Sequence, residues 1–259
     1  MVDFCRGVLE EDVTTTRRSV SSCRRTTREN RTPAVDDLPE DTMTTPTRIP
    51  PTELTGLFGT IVKIASRRML GQVPDSLGVL AHHPALMRAS MGIGRKIEAL
   101  DQLDRNLASY AVMSTAAYIG CSWCLDFNYY KAHNDGLDEA KARQVPNWRE
   151  ASVFTPVERH VMEYAEAMSQ TPPAVTDELS AALLTELGPA ALIELTAKVA
   201  FMNMSSRMNV ALGIHSEGYA DTCQLPPLET RATAAGPAST SAPGPQPPDT
   251  TFKAVGSTS

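Results

Sequence analysis

The sequence predicts an all-α fold, and three observations carry that expectation. Apolar residues in the middle of the chain recur at helical spacing, as in Val157, Val161, Tyr164 and Met168. Helix-starting and helix-stopping residues bracket these runs. No run alternates apolar and polar residues between turn signals, as a half-buried strand would.

The elements follow in order. Thr52 and Glu53, after Pro50-Pro51, open a helix that runs towards Arg68. Pro84 suits a first helical turn, and Leu86, Met87, Ile93 and Ile97 line the helix that runs to about Leu100. Asp104 caps a segment that reaches Ile119, where Gly120 breaks it. Cys121 to Asn134 form the next helix, closed by Asn134-Asp135-Gly136. Asp138 starts a short helix through Val145. Thr155 with Glu158 is a capping box, and Pro172-Pro173 ends the helix it opens. Thr176 begins a helix bearing Leu179, Leu183, Leu184 and Leu187, stopped by Gly188. A long apolar helix is expected from Pro189 to about Ile214.

These helices occupy residues 52–225 of a chain of 259, which is one ordinary domain. Residues 1–48 are rich in Thr, Ser and Arg and poor in large apolar residues, so a disordered N-terminal tail is expected. Residues 229–259, rich in Pro, Ala, Ser and Thr, are expected to be a disordered C-terminal tail. Glu10, Glu11 and Asp12 among the arginines argue against an organelle transit peptide, and no secretory apolar region stands there. The expectation is a cytoplasmic protein, with Met43 as an alternative start. A net charge of −6 and a pI near 5.4 argue against a nucleic-acid partner. The apolar 189–214 segment carries Glu194, Lys198 and Arg207, so no membrane span is expected.

Chemistry concentrates in Gly120-Cys121-Ser122-Trp123-Cys124. Two thiols at i and i+3 on a helix lie within disulfide reach, so the pair reads first as a redox centre. The opposing reading is two inert small hydrophobes in a core. A zinc site would need two further ligands at suitable spacing; His215 and Cys223 are only loosely spaced, and no metal or cofactor is expected. By position alone Cys121 is the better thiolate, because it stands at a helix start after Gly120.

With the thiol pair placed between two helices, the order of elements becomes recognisable. The stretches Leu80-Ala81-His82-His83-Pro84, Cys121-Ser122-Trp123-Cys124-Leu125-Asp126 and Ser206-Arg207-Met208-Asn209-Val210-Ala211-Leu212-Gly213 resemble the carboxymuconolactone decarboxylase family. Within it, the chain looks like the CxxC-bearing alkylhydroperoxidase D-like branch over residues 80–223. The resemblance implies a compact multi-helix domain that assembles as a trimer or hexamer. It implies reduction of a small peroxide by the thiol pair, with a partner protein restoring the dithiol. It also implies that Cys124 attacks and Cys121 resolves, with a Glu and a His moving protons. Those two positions fall here on Ser109 and Asn128, neither of which is a base near neutral pH. Asn128, one turn after Cys124, could instead hydrogen-bond the thiol region. The expected function is thus a weak thiol-dependent peroxidase. A lactone decarboxylase-like lyase and a non-catalytic oligomeric redox sensor are the alternatives.

Overall fold

The computed structural model describes residues 47–222 together with Leu225 and Leu228. The expected tails, apart from Thr47 and Arg48, lie outside the described residues, as do the Met43 start, Cys5, Cys23 and Cys223. Arg48, assigned to the tail, instead joins the fold: its N–H donates to Leu212 O at 2.9 Å.

Every regular element among the described residues is helical. They are α1 (Gly56–Leu70), α2 (Asp75–Leu80), α3 (Pro84–Glu98), α4 (Arg105–Ile119), α5 (Ser122–Asn134), α6 (Glu139–Ala142), a 3₁₀ turn (Val145–Asn147), α7 (Pro156–Ser169), α8 (Asp177–Leu212) and α9 (Tyr219–Thr222). Each major start has a local cause. Asp104 Oδ1 accepts from Asn106 N at 2.9 Å and Leu107 N at 3.1 Å, which caps α4. Thr155 and Glu158 exchange side-chain-to-backbone bonds across the first turn of α7, as the capping box requires. The two helices expected either side of Gly188 are one bent element: Gly188 sits at φ 78°, outside helical space, and Pro189 follows. The first helix starts at Gly56 rather than Thr52, and α2 has no counterpart in the expected order.

α4 is the central helix, packed against α5, α7 and α8. Its one side joins Tyr110 and Met113 to Tyr129, Trp148, Phe154 and Met162. Its other side joins Ala111 to Val161, Leu183, Leu195 and Val199. Between these cores, near the end of α4, lies a smaller cluster of Ala116, Cys121, Cys124 and Met202.

By length and composition alone α8 is long and apolar enough to cross a membrane, contrary to the expectation from its charges. Those charges are engaged in the fold. The buried Lys198 donates to Ile97 O at 2.9 Å, and the buried Glu194 accepts from Gln102 N at 2.7 Å. The two side chains lie 3.3 Å apart. This pair ties the α3–α4 connection to α8, since breaking a buried pair would strand a charge.

Candidate active site

The thiol pair is built by a reversal of chain direction. Gly120 takes φ 82°, a left-handed conformation that ends α4 and is open to glycine at no steric cost. The next residue, Cys121, is extended and becomes the N-cap of α5. Its Sγ stands in the place of a capping oxygen and accepts from Cys124 N at 3.2 Å. One turn on, Cys124 faces the same cluster. Both thiols are free and almost wholly buried, 1% and 2% exposed.

Their environments separate them. The Cys121 thiol is pushed down to about 7, first by the hydrogen bond from the Cys124 side chain, against the cost of burial, with further help from the Cys124 backbone N–H. The Cys124 thiol is pushed up, first by that same hydrogen bond to Cys121, then by burial and by the charge on its neighbour. In a thiol pair so placed, ionisation is favoured at Cys121 over Cys124.

Two residues of α8, Ser206 and Asn209, complete the site. Asn209 Nδ2 donates to Cys124 Sγ at 3.4 Å. Ser206, fully buried, lies close enough to favour the anion of both thiols, yet its hydroxyl completes a hydrogen bond with neither. Met202, one turn earlier on α8, belongs to the same buried cluster as the two cysteines. Neither Ser206 nor Asn209 was among the candidate residues, although both belong to the stretch that carried the resemblance. Their signal was two small polar residues at i and i+3 on an apolar helix.

The expected supporting residues act elsewhere. Ser109 Oγ donates to Arg105 O at 2.9 Å, within its own helix. Asn128 Nδ2 donates to Cys124 O at 2.7 Å, so it braces the α5 backbone rather than the sulfur. Four histidines are engaged away from the thiols. His82 Nε2 meets Pro50 O at 2.9 Å, and His83 Nδ1 accepts from Leu86 N at 3.1 Å. His133 meets Glu139 at 2.6 Å and His160 meets Glu186 at 3.1 Å. The groups shown acting on the thiols are therefore hydrogen-bond donors and each other.

The chain after α8 straps this site. Ser216 N donates to Ser122 Oγ at 3.1 Å. The buried Asp126 carboxylate accepts from Ser216 Oγ at 2.7 Å and from Tyr219 N and Ala220 N, each at 2.9 Å. It thus caps α9, which explains an acidic residue two positions from a thiol. Trp123 stacks on Phe127 with ring centroids 5.1 Å apart, and Tyr219 meets both rings edge-on. Trp123 Nε1 donates to Glu217 Oε1 at 3.0 Å, and Glu217 also accepts from Asp75 N at 3.1 Å.

Burial holds the Glu217 carboxyl above its ordinary 4.5, against the hydrogen bonds from Trp123 and the Asp75 backbone. The folded state therefore binds that proton more tightly than the unfolded chain. Its contribution to stability is full below pH 4.5 and fades as pH rises through the raised value. Glu217→Gln should flatten the melting temperature against pH across that window; an unchanged profile would show that another group governs it.

Comparison with known proteins agrees with this architecture. The family model described as the carboxymuconolactone decarboxylase family matches residues 84–167, from α3 through most of α7. The Escherichia coli (strain K12) protein named Uncharacterized protein YnjA is 35% identical over 164 residues, covering 62% of this chain and 87% of that protein. The apo crystal structure of the debrominase Bmp8 superposes with a TM-score of 0.59 at 20% identity, over 71% of this chain and 97% of that one. The alkylhydroperoxidase AhpD core of a peroxidase-related protein from Ralstonia eutropha JMP134 gives a TM-score of 0.60 at 20% identity, over 70% and 97%. With its all-α, alkylhydroperoxidase D-like fold, the chain belongs to the carboxymuconolactone decarboxylase family.

Proposed function

We propose that the protein is a thiol-dependent peroxidase-like oxidoreductase. Cys121 and Cys124 cycle between dithiol and disulfide, a small hydroperoxide is the oxidant, and a thiol-reducing partner protein restores the pair. One observation carries the reading: a buried thiol pair at a helix N-terminus, with Cys121 Sγ accepting the Cys124 N–H. The resemblance assigns attack to Cys124, but the thiolate is the nucleophile, and the local physics favours Cys121 in that role. Cys124 then resolves. The apolar side chains of Leu57, Ile64 and Ile193, exposed on α1 and α8, support a homo-oligomer.

Without a positioned base, turnover should be slow, because general acid–base help is typically worth about 10²–10⁴-fold. Purified protein with a dithiol reductant should consume hydroperoxide at such a modest rate. After mild peroxide alone, the peptide bearing both cysteines should lose two hydrogens. No consumption, with both thiols still free, would refute the reading. A second reading is debromination, the activity in the name of one fold neighbour. The aromatic wall of Trp123, Phe127 and Tyr219 beside the thiols favours it. Bromide release from a bromoarene, in place of peroxide consumption, would select it.

A further inference from the structure

We infer that Ser206 is the oxygen-binding residue of this site: its hydroxyl is the donor that receives the peroxide oxygen transferred to Cys121. The inference rests on the peroxidase reading above and gives one residue a role in it.

The motive is a buried hydroxyl without a hydrogen-bond partner inside the thiol site. Ser206 is fully buried, and its Oγ has no hydrogen-bond partner among the described residues. A helical hydroxyl has an easy partner in the carbonyl four residues earlier. Thr115 takes that of Ala111 at 2.9 Å, Ser169 that of Ala165 at 2.7 Å and Thr196 that of Leu192 at 2.7 Å. Ser206 does not take the carbonyl of Met202. Alanine would fill the same space without leaving a buried hydroxyl unpaired, so packing does not account for the residue. The side chain lies beside both sulfurs, next to the Asn209 amide that holds Cys124. It is a buried donor within the thiol site.

The chemistry supplies that acceptor. The Cys121 thiolate attacks the distal oxygen of a hydroperoxide; the S–O bond forms as the O–O bond breaks, and the alkoxide leaves. The alkoxide takes the proton that Cys121 released on ionising. Cys121 is now a sulfenic acid, whose oxygen the Ser206 O–H holds. The Cys124 sulfur attacks the Cys121 sulfur, the S–S bond forms, and hydroxide leaves with the Cys124 proton as water. Ser206 neither gains nor loses a proton. With oxygen bound its hydroxyl gains a full partner, which favours the oxidised intermediate over the resting dithiol.

The test uses the full chain carrying Cys124→Ser, in which sulfenic acid on Cys121 cannot be resolved and is trapped by dimedone. Adding Ser206→Ala should slow trapping with hydrogen peroxide or tert-butyl hydroperoxide by about tenfold or more, in line with the loss of one preorganised donor. The melting temperature of the reduced protein should hold or rise, because an unpaired buried group has been removed. Ser206→Thr, which keeps the hydroxyl, should recover much of the rate. Equal trapping with and without Ser206, or a slower rate matched by a lower melting temperature, would overturn the role alone. No trapping in the Cys124→Ser parent would overturn the peroxidase reading and this role together.

Discussion

Cys121→Ser should abolish peroxide turnover, whereas Cys124→Ser should still react once. The asymmetry follows from the N-cap. Cys121 Sγ accepts the Cys124 N–H at 3.2 Å and holds the charge at a thiol pKa of about 7, while the Cys124 thiol is pushed up. A serine hydroxyl at position 121 would still cap α5, so the fold should survive the substitution that ends the chemistry. Cys124→Ser should keep the nucleophile and lose the resolving thiol, which leaves a stoichiometric burst and a persistent sulfenic acid. Rapid-mixing peroxide consumption followed by intact-mass measurement reads both. A burst from Cys121→Ser with none from Cys124→Ser would return the attacking role to Cys124, as the family resemblance implies.

Asp126→Ala should be the most destabilising single change near the site. The carboxylate is buried and accepts from Ser216 Oγ, Tyr219 N and Ala220 N. Removing it strands a buried and a half-buried backbone donor and frees the strap that leads to α9. Hydrogen bonds to a charged group contribute about 1.5–3 kcal/mol each and are not additive, so a loss of about 3 kcal/mol is expected. For a domain of this size that lowers the melting temperature by about 6–12 °C. Because the same strap carries Glu217 to Trp123, tryptophan fluorescence should change in the folded variant. A variant as stable as wild type would show that the strap is not held through Asp126.

What was legible in the sequence was local. Asp104, Thr155 with Glu158, and Gly120 mark helix ends because a cap or a positive φ is decided within a few residues. The placement of Cys121 at a helix start followed from the same logic, and with it the direction of its pKa. Gly188 likewise announced the break in α8, although the chain continues through it as a bend. The partners of the thiols were not legible in this way. Asn209 reaches Cys124 across 85 residues, and nothing in local pattern fixes which face of α8 meets α5. Ser109 and Asn128 were singled out by register within a motif, yet each side chain turns to a carbonyl four residues before it. The burial of Asp126 was not legible either, because backbone donors from a distant strap leave no sequence signature. The role of Arg48 escaped for the same reason: a lone arginine in a polar stretch gives no sign that it meets the end of a helix far along the chain.

The claim on which all of this turns is that the reduced pair stores its charge on Cys121. The most direct measurement is the pH dependence of alkylation by iodoacetamide, with each modified cysteine assigned by peptide mass. The account predicts that Cys121 is modified first, with a rate that rises through a midpoint near pH 7, and that Cys124 stays unmodified until well into the alkaline range. Modification of Cys124 first, or of neither thiol below the pH at which an ordinary cysteine ionises, would contradict it.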